Sequence, residues 1–356
     1  MYLVSKTSLD QFLAWACGSY RVFVPVNRNG ALHFTRYEPG APIAADLGVC
    51  RASESARDFF FPPRKRVALG LGGDDAESSE KPVCLVGVKA CDVHGLAVLD
   101  AAFLGQAPHE PLYARERARG LIIASDCTAP RETCFCTAIG EHPHAWVDFD
   151  LNLTPVPRGY VAVSASEKGD RLIAEHPEWF ALAADEDIVA RETLRSRIER
   201  QVRAQCAAAG VPDRAALDGV MDGAYDSGFW RDLASACVEC GACNTVCPTC
   251  HCFLLHDTLD AGENARFRTW DACLLKDFAR CAGGGNPRAK LWMRLRNRFD
   301  KKFSYFPETA GIIACTGCGR CVTACPARID IRSVLRKMVD HGRRDQSIPA
   351  VIGPGA

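Results

Sequence analysis

Cysteine is the residue type most able to carry chemistry in this chain, because it is frequent and clustered. There are 20 cysteines among 356 residues, and 12 of them fall between Cys237 and Cys325. Two stretches share one spacing, in which gaps of two, two and three residues separate four cysteines and a proline follows. The stretches are Cys237, Cys240, Cys243 and Cys247 before Pro248, and Cys315, Cys318, Cys321 and Cys325 before Pro326.

This spacing is the one with which bacterial ferredoxins bind 4Fe-4S clusters. Gaps of two residues let three thiolates of one loop point at a cluster, and Gly241 and Gly319 leave room for the loop to wrap. In two-cluster ferredoxins the fourth cysteine ligates the other cluster. We therefore assign Cys237, Cys240, Cys243 and Cys325 to cluster 1, and Cys315, Cys318, Cys321 and Cys247 to cluster 2.

Three other interpretations use some of the same cysteines. Zinc ribbons bind through pairs of doublets rather than through triplets with a remote fourth ligand. Residues 247–251, Cys-Pro-Thr-Cys-His, fit haem attachment, and Cys243, Cys247 and Cys250 fit the spacing of radical S-adenosylmethionine enzymes. Each of these two motifs needs a cysteine that the ferredoxin-type run already uses, so we favour the 4Fe-4S interpretation.

A third group of cysteines is expected to lie together because of the predicted α/β order of elements. Residues 83–88 predict a buried strand, 93–104 a helix and 120–125 the next strand, which together make a crossover unit with parallel, neighbouring strands. The ends of these strands, where α/β folds bind ligands, and the loop that follows carry four cysteines. They are Cys91, Cys127, Cys134 and Cys136. These thiols either bind a third 4Fe-4S cluster or are small buried residues, as free cysteines often are.

The change in cysteine content places a boundary near residue 225. We predict an α/β domain with a mixed sheet (1–165), a helical connector (166–225), an α-rich dicluster ferredoxin-like domain (226–345) with a helical insertion (253–310), and a tail (346–356). Within the first domain, 21–26 and 31–37 predict a hairpin across Asn29-Gly30. Pro25 predicts that the first of these strands lies at a sheet edge.

The predicted insertion contains further cysteines and a basic segment. Cys250, Cys252, Cys273 and Cys281 are the remaining candidate ligands; the last two could share one face of a helix, but we favour burial. Residues 288–302 hold seven Lys or Arg and one acid, and their apolar positions have helical spacing. Such a helix presents a solvated face, places cations beside the clusters, or docks an acidic partner such as ferredoxin or a flavoprotein.

Composition excludes several classes of protein. Lys plus Arg and Asp plus Glu are both 43, so no net charge draws the chain to nucleic acid or membrane. The first 20 residues contain Asp10 and no long apolar run, and no stretch approaches the ~20 apolar residues that span a bilayer. We expect a cytoplasmic protein whose thiols are reduced unless they bind metal.

The motifs together resemble one family. They are Gly-Val-Lys-Ala-Cys-Asp at 87–92, Cys-Phe-Cys at 134–136, Cys-Pro-Thr-Cys-His-Cys-Phe at 247–253, Arg-Thr-Trp at 268–270, and both ferredoxin-type runs. This combination is similar to the iron-sulfur subunit of anaerobic sulfite reductases, which corresponds to the beta subunit of cytosolic sulfhydrogenases. The resemblance implies an electron relay between a subunit that binds flavin and NAD(P)H and a catalytic subunit of sirohaem, nickel-iron or other reductase type.

Three functions follow as hypotheses. The first is this relay, which moves single electrons through two or three 4Fe-4S clusters and contributes no bond chemistry of its own. The second is a catalytic subunit that reduces a disulfide or sulfur compound, as heterodisulfide reductases do, although the chain lacks their adjacent cysteines. The third is a nucleic-acid-binding protein with structural clusters, which would use the basic segment but lacks a stacking motif beside it.

Overall fold

The computed structural model describes residues 1–40, 47–69, 73–74, 80–260 and 262–346. Of the predicted tail at 346–356, all but the first residue lies outside these ranges. In chain order the strands are β1 (Tyr2–Val4), β2 (Arg21–Arg28), β3 (Ala31–Arg36), β4 (Arg64–Leu69), β5 (Gly73–Asp74), β6 (Val83–Val88), β7 (Leu121–Ser125), β8 (Leu151–Val156), β9 (Gly159–Ser164), β10 (Ala181–Leu182), β11 (Phe253–Asp260) and β12 (Glu263–Trp270).

The helices are distributed along the whole chain. They are α1 (Lys6–Ser19), α2 (Arg57–Phe60), α3 (Ala90–Leu104), α4 (Pro111–Arg119), α5 (Glu167–Glu175), α6 (Asp185–Ala208), α7 (Arg214–Leu217), α8 (Val220–Ala224), α9 (Phe229–Ser235), α10 (Ala242–Thr245), α11 (Leu291–Asp300), α12 (Phe306–Ala310), α13 (Arg320–Ala324) and α14 (Ile331–Gln346). A π-helical segment, Lys301–Tyr305, links α11 to α12, and short 3-10 segments lie at Cys136–Ile139 and Pro177–Trp179.

Eight strands form a mixed sheet in the order β10-β1-β9-β8-β7-β6-β2-β3. Its central strands pair in parallel and its outer strands pair antiparallel. β6 is buried at every position, and its side chains alternate between two cores. Cys84 and Val86 pack with α1 on one face, whereas Val83 and Leu85 pack with α3 on the other. The predicted crossover is confirmed, since β6 and β7 are parallel neighbours on either side of α3 in sequence.

The hairpin of β2 and β3 forms as predicted across Asn29-Gly30, which have φ angles of 53° and 83°. The prediction that Pro25 puts β2 at the edge is wrong, because β3 is the edge strand. Proline is tolerated there because the pairing between β2 and β6 ends at Phe23. Beyond that point β6 bulges at Gly87, whose φ is 79° and whose Cα faces the ring of Pro25.

A second, antiparallel sheet has the order β11-β12-β4-β5 and joins distant parts of the chain. β11 and β12 form a hairpin, in which Gly262 has a φ of 89° and Asp260 pairs with Glu263. The prediction of a helical insertion over 253–310 is therefore wrong for its first part. The helix expected to carry Cys273 and Cys281 is also absent, since 271–290 form turns and bends.

Helix α6 connects the large sheet to the C-terminal part of the chain. Near its middle, Arg195 donates to the buried carboxylate of Asp126, which follows β7, at 2.7 Å. Farther along, Val202 lies in a hydrophobic core with Trp230 and Leu335. The cysteine-rich segments at the end of the chain are therefore packed against the α/β region through a continuous apolar core.

Candidate iron-sulfur centres

Three cysteines of the first run and two of the second run line a common cavity of about 50 Å³, and one of these five, Cys321, belongs to the set predicted for cluster 2. Gly241 has a φ of 69°, a conformation that suits glycine, and turns the chain into α10 between the second and third cysteines. The set predicted for cluster 1 lies together around this cavity. It comprises Cys237, Cys240, Cys243 and Cys325.

The set predicted for cluster 2 also draws on both runs. Burial raises the pKa of the Cys321 thiol, and neighbouring thiols raise it further. Those neighbours are Cys318, Cys315 and Cys247. Because Cys247 belongs to the first run and Cys325 to the second, the fold places the fourth cysteine of each run beside the other triplet.

The third group also lies together, at the carboxyl ends of β6 and β7. Cys91 is in the first turn of α3, and Cys127 lies two residues beyond β7. Around one small cavity, the structure places Cys91, Cys127, Cys134 and Cys136 with two further thiols, Cys50 and Cys318.

Sequence reasoning missed Cys50. A parallel bridge between Val49 and Ala129 holds its segment beside the third group, and no periodic pattern in the sequence marks that bridge. Cys50 and Cys134 line the same cavity, and the neighbouring Cys134 side chain is the main cause that lowers the pKa of the Cys50 thiol. The third group therefore contains five candidate ligands from the α/β region rather than four.

Two glycines of the second run bring that run against the third group. Gly317 accepts a backbone hydrogen bond from Phe135 at 2.7 Å. A Cβ on Gly317 would lie 2.5 Å from the backbone N and Cα of Cys136, and a Cβ on Gly319 would lie 2.2 Å from the carbonyl O of Thr133. The loop that carries Cys134 and Cys136 therefore packs directly on the loop that carries Cys318.

Comparison with known proteins agrees with this geometry. Residues 236–329 match the family model described as a 4Fe-4S dicluster domain. Over 317 residues the chain is 33% identical to Sulfhydrogenase 2 subunit beta of Pyrococcus furiosus, an alignment that covers 88% of this chain and 91% of that protein. The chain belongs to this iron-sulfur subunit family. No solved structure gives a significant match.

Family membership confirms the resemblance drawn from the motifs. The protein has an α/β N-terminal region with a mixed sheet and a C-terminal 4Fe-4S dicluster domain. It is an iron-sulfur protein with a 4Fe-4S dicluster domain, and the similar protein is named as a subunit of a sulfhydrogenase. The dicluster match also favours iron-sulfur ligation by the two runs over zinc, haem or radical S-adenosylmethionine chemistry.

Buried cations in the iron-sulfur subunit fit anionic clusters. Lys302 donates to the Cys247 sulfur at 3.5 Å, and Arg298 donates to the Cys250 sulfur at 3.7 Å. Within the described ranges neither cation has a carboxylate within ion-pair distance. Burial alone would lower the pKa of Lys302, but the neighbouring thiols raise it above its ordinary value. Since an unbalanced buried cation is costly, anionic sulfur at Cys247 and Cys250 would offset this charge, and Cys247 belongs to the set predicted for cluster 2.

Arg51, beside the third group, provides a second indication that the thiols bind an anionic cluster. Its Nε donates to the carbonyl O of Cys318 at 2.6 Å. Its NH2 group is buried and has no hydrogen-bond partner among the described residues. A 4Fe-4S cluster held by the surrounding thiols would supply the sulfur acceptors that this donor lacks, because hydrogen bonds to cluster sulfurs are a regular feature of such sites.

The basic segment at 288–302 corresponds to α11 and the π-helical segment after it. Arg294, Arg298 and Lys302, spaced four residues apart, are buried rather than solvated. Arg294 donates to Glu239, a residue of the first run, at 2.7 Å. The expected solvated face is wrong for these three cations, two of which, Arg298 and Lys302, donate to thiol sulfurs, whereas the other four cations of the segment are at least partly exposed. The arrangement supports the alternative in which the cations lie beside the clusters.

The four cysteines of the predicted insertion have different surroundings. Cys273 is buried as expected, Cys250 and Cys252 are partly exposed, and Cys281 is exposed. Three of them line one further cavity, whereas Cys281 is not among its lining residues. Within the described ranges, no helix has the length and apolar composition needed to cross a membrane.

Proposed function

We propose that this subunit relays single electrons through 4Fe-4S clusters held by its cysteine groups. Cys237, Cys240, Cys243 and Cys325 hold one cluster, and Cys315, Cys318, Cys321 and Cys247 hold a second. The third group, Cys91, Cys127, Cys134 and Cys136, holds a third cluster in the α/β domain. When bound, each cluster supplies a one-electron couple, while the protein supplies burial, hydrogen bonds and nearby cations.

The observation that carries the proposal is the contact between the second run and the third group. Phe135 and Gly317 are hydrogen-bonded, and Cys318 lines the cavity of the third group. Cys247 and Cys325 tie the second run to the first. The three sites therefore form a continuous series through the protein, as expected for a relay rather than for isolated structural centres.

The partners that we propose are a flavin subunit that uses NAD(P)H and a catalytic redox subunit of sirohaem, nickel-iron or another reductase type. The similar protein from Pyrococcus furiosus is named as a subunit of a sulfhydrogenase, which supports a role within a complex. Ferredoxin is a further partner of suitable chemistry. We place the complex in the cytoplasm and propose no membrane partner.

A nucleic-acid function receives less support. Arg294, Arg298 and Lys302 are buried, so a nucleic acid could not contact three of the seven cations on which that hypothesis rests. Salt-dependent binding to phosphates requires accessible Lys and Arg side chains.

The test is the iron content of the whole chain, purified without oxygen. We expect about eight irons per chain from the two ferredoxin-type runs, or about twelve with the third group, and paramagnetic signals on reduction. Replacement of the exposed Cys281 by alanine serves as a control that retains all of the iron. Two irons or fewer after anaerobic reconstitution would contradict the relay.

A further inference from the structure

A cavity of about 280 Å³ is separate from the cysteine groups, and none of the described residues that line it is a cysteine. It is bordered by the start of β2, the helices α2 and α4, and the strands β4 and β12. Its lining includes Arg268, the first residue of the Arg-Thr-Trp motif. The relay assigns no role to this residue.

Two cations occupy opposed positions beside this cavity. Lys65 of β4 is directly opposite Arg268 of β12 in the small antiparallel sheet, and both residues line the cavity. Opposed residues project from the same face of a sheet. Arg268 lies 2.8 Å from Glu110, the N-cap residue of α4, so this is the face that meets α4. Like charges at opposed positions destabilise a sheet, and a bound anion would offset that penalty.

Arg268 also has a donor that the protein leaves unused. Its side chain is only 2% exposed, and its buried Nε has no hydrogen-bond partner among the described residues. Burial lowers the pKa of Arg268, and the nearby Glu110 opposes this effect only in part. A buried guanidinium with an unpaired N–H is satisfied best by a charged acceptor such as a phosphate oxygen.

The other charges of the lining leave an excess of positive charge. Three carboxylates line the cavity, and each lies 2.8–3.7 Å from an arginine. They are Asp58, Glu80 and Glu116. Arg64 and Lys65 also line the cavity, and neither forms an ion pair with another described residue. An excess of cations raises the local concentration of an anionic ligand.

An aromatic wall forms another side of the cavity. Phe23, Phe59 and Phe60 line it, and the ring centroids of Phe23 and Phe59 are 4.8 Å apart. Phe23 and Phe59 are partly exposed, so their rings are accessible to a ligand. Aromatic side chains of this kind stack on nucleobases. The volume lies near the lower end of the roughly 300–1,000 Å³ that is typical of small-molecule sites, which suits a mononucleotide better than a dinucleotide.

We propose that this cavity binds a nucleoside monophosphate. Lys65 and Arg268 bind the phosphate, and Phe23 and Phe59 pack against the base. The inference goes beyond the relay and does not depend on it, because no proposed cluster ligand lines the cavity.

The experiment is a calorimetric titration of the full chain with its iron, purified without oxygen. The probes are the four common ribonucleoside 5′-monophosphates, and we expect at least one of them to bind at one site per chain. The matching nucleoside lacks the phosphate, and inorganic phosphate lacks the base. Each should bind at least about tenfold more weakly than the nucleotide. This comparison uses the parent protein and requires no variant to fold.

A pair of variants of β4 tests the location of the site. Lys65→Met should weaken nucleotide binding by about tenfold, because it removes a charge-assisted contact to the phosphate. Arg66→Met is the matched control, since Arg66 is the next residue, projects from the opposite face and pairs with Asp260 at 2.8 Å. This variant should bind the nucleotide as the parent does, and both variants should keep the parental iron content.

Four results would overturn the proposal. The first is the absence of saturable binding of all four nucleotides to the parent protein. The second is equal affinity for the nucleotide and inorganic phosphate, which would exclude the aromatic wall, and the third is equal affinity for the nucleotide and the nucleoside, which would exclude the cations. The fourth is equal affinity of Lys65→Met and Arg66→Met for the nucleotide. Absence of iron in the parent protein would contradict the relay instead.

Discussion

Single side chains set the charge around the cysteine groups. Arg298 and Lys302 are four residues apart and both donate to sulfur. The sequence showed the helical spacing of this segment but not the burial of its cations, because a pattern of charged and apolar residues normally places charge toward solvent. Charged residues of a helix do not face solvent where buried anions require cations nearby. The sequence alone does not reveal which face of the helix lies against those anions.

Removal of one buried cation should change a reduction potential. We expect Lys302→Met to lower the potential of cluster 2, because the reduced cluster carries one more negative charge that Lys302 stabilises. One charge at roughly 8 Å with an effective dielectric constant of about 20 corresponds to about 2 kcal/mol, or roughly 90 mV for one electron. Potentiometric titration followed by electron paramagnetic resonance measures the shift.

Arg296→Met is the matched control, since Arg296 lies on the same helix but stacks on Tyr225 at 3.7 Å and donates to its carbonyl O. Its cluster potentials should remain within about 20 mV of the parent, since Arg296 is partly exposed and paired with Asp226, so that its charge is screened. Equal potentials in Lys302→Met and the parent protein would show that Lys302 does not act on cluster 2.

At the scale of elements, strong local patterns were predictive. The apolar runs at β6 and β7 and the Asn29-Gly30 turn identified their strands, because burial on both faces and positive φ angles leave clear marks in a sequence. The hairpin of β11 and β12 was missed, since β11 is largely exposed and carries no alternation of apolar and polar residues. Cys50 was missed because a bridge between distant segments brings it to the third group.

The loop contact at Gly317 should be sensitive to a single methyl group. We expect Gly317→Ala to displace the loop of Cys134 and Cys136, because its Cβ would lie 2.5 Å from backbone atoms of Cys136. The expected result is a loss of about four irons per chain, measured by chemical iron analysis after anaerobic reconstitution.

Gly311→Ala is the control for backbone strain. Gly311 also has a positive φ, of 68°, but a Cβ there would meet nothing within 4 Å. Both variants bear a similar penalty of about 1 kcal/mol for a left-handed backbone. If the two lose the same amount of iron, the contact with Cys136 does not position the third cluster.

The ion pair between α6 and the end of β7 should be important for stability. Asp126 is buried and accepts from Arg195, from Asn152 at 2.8 Å and from Thr154 at 2.6 Å. Arg195→Met leaves this carboxylate without its cation, so we expect the free energy of unfolding to fall by about 3–5 kcal/mol. Denaturant unfolding of the anaerobic protein measures the change.

The matched variant is Arg203→Met, which removes an exposed pair with Glu199 on the same helix. Such pairs contribute about 0.3–0.5 kcal/mol. A decrease in Arg195→Met no larger than that in Arg203→Met would mean that the buried pair does not anchor α6.

In the whole molecule, the two cysteine runs depend on each other. The fold places Cys247 beside the second triplet and Cys325 beside the first. The spacing of the runs predicted this crossing, because in two-cluster ferredoxins with this spacing the fourth cysteine of each run ligates the other cluster. The path of the chain between the runs could not be predicted in the same way, since it is set by contacts with the α/β region.

Paired alanine variants should reveal which cysteines share a cluster. Cys247→Ala combined with Cys315→Ala removes two ligands of one cluster, so we expect the loss of about four irons. Cys247→Ala combined with Cys237→Ala affects both clusters, and we expect the loss of about eight. Iron analysis and spectroscopy of the anaerobic proteins distinguish the two. The opposite pattern would show that the fourth cysteines do not cross.

The small antiparallel sheet limits how this polypeptide can be divided. β12 pairs with β4, although some 200 residues separate them in sequence. A fragment starting near residue 225 would leave β12 with an unsatisfied backbone edge, and such edges recruit strands from other molecules. Minimal versions of the dicluster region should therefore be insoluble or self-associated unless a segment equivalent to β4 is supplied in trans. Fission of the gene between these segments would produce two obligately co-folding chains.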